Sequence, residues 1–177
     1  EKQLGRFVNF AAFPKTAAAL ADTEKHLKVL FKKHPIGAVL VEPIQGRAGL
    51  RVPPAKFLRM LRSLCDQHDA LLIYDEIYTG FGRTGEWFAC EHSSSFPDLI
   101  CLGKALTNGF PLSACVGRAT VMDRAWPESI GEAIHTSTFL GHPVGCAMAL
   151  AQVRELKDKK LITQARRRGK QLEKLCK

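Results

Sequence analysis

No stretch of the 177-residue chain approaches the ~18 consecutive apolar residues that a membrane-crossing helix needs. The start, Glu1-Lys2-Gln3-Leu4, lacks the apolar core of a secretion signal, so the protein is expected in the cytoplasm. The six cysteines, Cys65, Cys90, Cys101, Cys115, Cys146 and Cys176, form no C-x-x-C pair. They read as small buried hydrophobes in a reducing compartment, Cys101 and Cys115 lying within apolar runs, and no metal is expected. Internal repeats and low-complexity segments are missing too, which excludes solenoids and disordered arrays.

What is present is a globular composition, 46% hydrophobic and 24% charged, with a net charge of +9 that is unevenly spread. Residues 157–177 hold nine Lys and Arg against two Asp and Glu, a net +7, which leaves +2 for residues 1–156. Such a tail suits nucleic acid in charge alone. No aromatic residue is interleaved for base stacking, however, and Leu161, Ala165, Leu172 and Leu175 recur at near-helical spacing. The tail is therefore expected to be a basic amphipathic helix with a solvated charged face, and a nucleic-acid partner is not expected.

The remaining pattern alternates. A helix is expected from about Asp22, as N-cap, to Lys33, with Leu27, Leu30 and Phe31 on one face. Ile36–Val41 reads as a buried strand, followed by the turn-rich Glu42–Gly49. Pro53-Pro54 opens a helix that faces Phe57, Leu61, Leu64 and Cys65 inward. Ala70–Tyr74, Asp98–Leu102 and Leu112–Val116 read as further strands, Arg118–Ala125 as a short helix, and His142-Pro143 as the start of a long helix to about Leu156 with Ala147, Leu150 and Val153 as its apolar stripe. Continuous apolar strands alternating with helices give an α/β fold with a mainly parallel sheet and flanking helices. In such sheets ligands bind outside the C-terminal ends of the strands.

Three polar groups follow those ends: Glu42 and Gln45 after the first strand, Asp75 and Glu76 after the second, and Lys104, behind Gly103, after the third. A lysine that forms covalent bonds to carbonyls must be partly desolvated so that its amine is neutral, and the apolar neighbours of Lys104 suit that. A carboxylate held beside a pyridine nitrogen keeps it protonated, because the adjacent charge favours the cation. The blander readings are a capping or metal-binding Asp-Glu pair and a solvated lysine. Gly80-Phe-Gly-Arg-Thr-Gly85 matches G-x-G-x-x-G, but Asp75-Glu76 intervene and Ser93–Pro97 breaks any following helix, so a tight structural loop is expected rather than a dinucleotide site.

Taken together, Leu72-Ile-Tyr-Asp-Glu-Ile77, Gly80–Gly85 and Pro97-Asp-Leu-Ile-Cys-Leu-Gly-Lys-Ala-Leu-Thr-Asn-Gly109 closely resemble the signature of class III aminotransferases, the family of acetylornithine, ornithine and 4-aminobutyrate aminotransferases. Val41-Glu-Pro-Ile-Gln-Gly46 and His135-Thr-Ser-Thr-Phe-Leu-Gly-His-Pro143 are similar to two more of its segments, so the resemblance runs from about His34 to Ala151. It implies part of the large domain of a fold-type-I transferase dependent on pyridoxal 5'-phosphate (PLP), with residues 1–156 its central section and 157–177 leading toward a small domain. Lys104 would carry the cofactor as a Schiff base and Asp75 would pair with its ring nitrogen. Ile77 would pack on one ring face, and Tyr78 would stand near the ring hydroxyl. Thr138 would reach the cofactor phosphate of a partner subunit, making a homodimer. The implied reaction moves an amino group from an amine or amino acid to an oxo acid. An aminomutase or racemase on the same scaffold, or a non-catalytic relative serving as an interaction module, are the alternatives.

Three departures from the family pattern bear on specificity. Arg47 stands where the ornithine-type subgroup has a glutamate that masks a carboxylate-binding arginine. Tyr78 replaces a glutamine. Thr136 and Leu140 replace glycines of the dimer-side loop. The turn that cups the cofactor phosphate, the aromatic that stacks on its ring, and the small domain have no counterpart in this stretch.

Overall fold

The computed structural model describes residues 7–47, 49–131 and 135–177. Four strands form one sheet in the order β1 (Ala38–Val41), β2 (Leu71–Asp75), β3 (Leu99–Leu102) and β4 (Ala114–Gly117). The first three are parallel, and β4 returns antiparallel to β3. The parallel steps are made through α2 (Phe57–Gln67) and through the long loop 76–98, while the short link 103–113 forces the reversal. The mainly parallel sheet expected from the apolar runs is present, with each strand trimmed or shifted by up to two residues.

Helix α1 (Ala17–Lys33) begins earlier than expected. Thr16, not Asp22, is its N-cap, its hydroxyl accepting from the Ala19 amide at 3.1 Å. The run Ala17-Ala18-Ala19-Leu20 is strongly helix-forming, so it carries the helix back to the first residue able to cap it and leaves Asp22 inside. Likewise Pro53-Pro54 does not begin α2; the Pro54 carbonyl accepts from the Phe57 amide at 2.8 Å in the turn before it.

One face of the sheet is packed. Leu72 and Tyr74 are fully buried among Phe57, Leu61, Leu64 and Cys65 of α2 and Leu27 and Phe31 of α1. Tyr74 donates or accepts at Ser95 Oγ, 2.8 Å away, and that hydroxyl reaches the Leu58 carbonyl at 3.0 Å. A second cluster joins Leu102, Leu106 and Phe81 to Leu156 of α4 (Pro143–Asp158). The opposite face is barer: Leu40 of β1 is 66% exposed.

The two C-terminal helices match their expected stripes only in part, Val153 and Leu161 packing inward and the other stripe residues not. In α4 the inward residues are Gly145, Ala149, Val153 and Leu156, whereas Ala147 and Leu150 are exposed. Gly145 is drawn in because a Cβ there would come within 3.2 Å of the Phe110 ring, which the glycine admits. In α5 (Leu161–Leu175) the anchor is Ile162, against Gly82, with Arg166 donating to the Gly85 carbonyl at 2.9 Å and pairing with Glu86. Ala165, Leu172 and Leu175 of the expected stripe are exposed; only Leu161 packs inward. Lys157 and Asp158 complete α4, and Lys160 takes a left-handed φ of 51° at the turn into α5. Short α3 (Ala119–Ala125) follows β4. Among the described residues no helix is long and apolar enough to cross a membrane.

Candidate active site at the strand ends

Lys104 ends β3 in an unusual backbone state. Gly103 is extended, and Lys104 itself takes a φ of 40°, the left-handed region that a side-chain-bearing residue enters at a cost. The turn closes as a short 3₁₀ segment, Leu106 N donating to the Gly103 carbonyl at 2.9 Å and Asn108 N to the Lys104 carbonyl at 3.1 Å. Gly103, Leu106 and Thr107 are buried around it, but the Lys104 side chain is exposed, contrary to the expected desolvation. The left-handed φ breaks the alternation of the strand and lifts the side chain clear of the sheet edge. Its amine stands 5.4 Å from the centre of the Tyr78 ring.

The next strand end supplies two carboxylates with opposite environments. Glu76 is wholly buried, accepting from the Thr79 hydroxyl, from Ala89 N at 3.0 Å and from Cys90 N at 2.8 Å. With its own amide bonded to the Cys101 carbonyl at 3.0 Å, it fastens the 76–90 loop to the sheet. Asp75 is half-buried, and its Oδ1 accepts from Ile77 N at 3.0 Å. Asp75 is in register with Cys101, so the carboxylate and Lys104 sit at the same end of neighbouring strands. Ile77 bridges them: its Cγ2 lies 3.3 Å from where a Gly103 Cβ would be, so only glycine lets the β3 end approach this closely.

Tyr78 completes the shelf. Gly46 packs on its ring so tightly that a Cβ would fall 2.7 Å from Cδ1. Gly46 is held by its amide donating to Glu42 Oε2 at 3.1 Å and by the Gln45–Arg51 bridge, whose two amide–carbonyl bonds are 3.0 and 2.9 Å. Arg83 lies 5.5 Å from the centre of the same ring, a neighbour that sequence spacing did not single out. The Gly80–Gly85 motif is a tight loop: Phe81 N donates to the Trp87 carbonyl at 2.7 Å, and Gly82 and Gly85 take φ of 90° and 88° where α5 crosses.

Thr138 is exposed in the turn that leads into α4, between the Leu140 N–Ser137 O and His142 N–Phe139 O bonds of 3.1 and 3.2 Å. Arg47, Thr136 and Leu140 are exposed as well. The structure thus brings Asp75, Ile77, Tyr78 and Lys104 together and leaves Thr138 in another loop. Sequence spacing did not foresee the role of Asp98. It is buried at the start of β3, where one oxygen accepts from Leu72 N and from Arg62, both at 2.7 Å, and the other faces Arg118 at 3.3 Å. Burial alone would raise its pKa, but the Leu72 amide and the Arg62 guanidinium, with Arg118, hold the carboxyl below its ordinary value. The carboxylate of Asp98 is therefore structural.

A carbonyl-bearing aromatic cofactor fits this donor set. The shelf offers a primary amine, a carboxylate and an aliphatic wall, all carried by two adjacent strand ends. Residues 7–176 match the family model "Aminotransferase class-III". The acetylornithine aminotransferase of Methanopyrus kandleri is 47% identical over 133 residues, 75% of this chain and 33% of that protein. The putrescine aminotransferase of Pectobacterium atrosepticum is 47% identical over 135 residues, 76% of this chain and 28% of that protein. An amine transaminase from an uncultivated Pseudomonas species, solved in its PLP-bound form, superposes with a TM-score of 0.78 at 36% identity, covering 88% of this chain and 36% of that one. The chain spans about a third of the length of these relatives, and it belongs to the class III aminotransferases.

Proposed function

We propose that this chain carries the covalent cofactor site of a PLP-dependent aminotransferase that passes an amino group from an amine or amino acid to an oxo acid. The observation that carries the reading is Lys104, raised on Gly103 and a left-handed backbone beside the strand end that bears Asp75. When bound, PLP supplies an electron sink for the bond-breaking at the substrate carbon.

The chain's own residues do the rest. Lys104 would hold the cofactor carbonyl through its amine, and the same Nζ, when free, would serve to accept and return a proton. Asp75, its position fixed by the Ile77 amide, would hold a proton on the ring nitrogen. Ile77 would wall one face of the ring, and Tyr78, wedged against Gly46, would stand near the ring hydroxyl. Thr138 would reach the cofactor phosphate of a partner subunit, which would make the working unit a homodimer. Arg47, an exposed cation next to Gly46, reverses the local charge where the ornithine-type subgroup has a glutamate.

The test is borohydride reduction in the presence of PLP followed by peptide mass mapping, with Lys104→Ala as control. A reduced adduct at Lys104, absent from the variant, is the expected result. Adducts scattered over surface lysines in this chain, and again in a chain extended in both directions, would overturn the reading.

A further inference from the structure

The cysteines do not share one environment. Cys65 and Cys90 are buried, and burial pushes their thiols up to about 11 and about 12. Cys101 is half-buried and Cys115 exposed, and they stand directly opposite each other on the antiparallel strands β3 and β4. The Cys101 carbonyl accepts from Glu76 N, on the β2 side. The peptide groups of Cys101 thus point away from β4, which makes Cys101–Cys115 a non-hydrogen-bonded pair. In such pairs the Cα atoms lie about 4.5 Å apart and the side chains approach closely. That separation falls at the short end of the roughly 4.4–6.8 Å over which disulfides form.

Neighbouring residues of β3 fix the direction of the pair. Ile100 and Leu102 pack toward α4, so Cys101 projects from the other, barer face. Asp75, Cys101 and Cys115 are in register across three strands and share that face. Burial first, then the adjacent Cys115 and Asp75, hold the Cys101 thiol above its ordinary value.

We propose that Cys101 and Cys115 form a dithiol site that exchanges with low-molecular-weight disulfides of the glutathione type and closes to an intramolecular bridge. The exposed Cys115 thiolate attacks one sulfur of the small disulfide, forming a mixed disulfide and releasing one small thiolate. Cys101 then loses its proton and attacks the Cys115 sulfur, releasing the second. Two protein thiols are oxidised by two electrons, one small disulfide is reduced to two thiols, and the two protons leave with them. In a reducing compartment such a bridge is transient.

The experiment treats the folded chain with oxidised glutathione, quenches it in acid, alkylates free thiols and maps the peptides. The expected result is loss of both thiols to a linked Cys101–Cys115 peptide, restored by dithiothreitol, while Cys65 and Cys90 stay reduced and Cys146 and Cys176 take up glutathione singly. Cys101→Ser is expected to leave one glutathione on Cys115, and Cys115→Ser to leave Cys101 a free thiol. Because a serine variant can fold poorly, wild type is also treated in guanidinium, where pairing is expected to lose its preference for this couple. Separate alkylation of Cys101 and Cys115 in the folded protein, or the same linkage at the same yield in guanidinium, would overturn the proposal.

Discussion

The two halves of the molecule bury their apolar residues very differently. In the first, α1, α2, β1 and β2 close around Leu72, Tyr74, Leu61 and Cys65, each 2% exposed or less. In the second, β4, α4 and α5 leave Val116, Leu150 and Leu172 at 52, 51 and 62%. The site straddles the seam, Asp75 on the packed side and Lys104 where packing thins. Under the proposed function the lysine has to reach a ligand, whereas the carboxylate beside it has to stay put, and each sits in the half that suits that role.

The sharpest way to break that comparison is to truncate a leucine in each half. Leu72→Ala is expected to cost about 4 kcal/mol, because the void forms between sheet and helices with nothing free to fill it. Urea unfolding measures this; a loss below about 1 kcal/mol would mean that the first half is not the mechanical core. Next in size is Asp98→Asn, expected to cost about 3 kcal/mol by leaving Arg62 without its buried counter-charge. The folded Asp98 pKa is depressed, so its contribution is present above the unfolded value of about 3.9 and is lost as pH falls through the lower folded value. The wild-type urea midpoint should therefore fall more steeply than that of the variant in this acid range.

The adjacent carboxylates separate stability from chemistry. Glu76→Gln is expected to cost about 2 kcal/mol, since a neutral amide accepts less strongly from the Thr79, Ala89 and Cys90 donors. Asp75→Asn should change stability by less than about 0.5 kcal/mol yet weaken PLP retention, read by absorbance after gel filtration. If the two variants exchange these phenotypes, the assignment of Asp75 to the ring is wrong. Smallest is Leu172→Ala, expected within about 0.5 kcal/mol because its side chain is already in water.

The same division governed what the sequence disclosed. In α2 the inward residues Phe57, Leu61, Leu64 and Cys65 follow directly from spacing, because the helix lies on a sheet that needs one continuous stripe. In α4 and α5 spacing did find Val153 and Leu161, but Gly145 and Arg166 carry no apolar signal and Ile162 lies off the expected stripe, so periodicity placed these faces only in part. At the site, Lys104 and Asp75 were legible from strand ends and motif. The left-handed backbone at Lys104, Arg83 beside Tyr78, and the Arg62–Asp98 pair were not, since each depends on which loop folds back over which strand.

The bond between Glu76 N and the Cys101 carbonyl makes the sheet a ruler for the chemistry. Amine and carboxylate ride on different strands, and their separation is set only by how β2 and β3 align. A slip of one residue would carry Lys104 about 3.3 Å along the strand and turn Cys101 to the opposite face. The alignment is held by residues on the far side of the sheet, so the precision of the reacting groups is inherited from side chains that never meet a ligand.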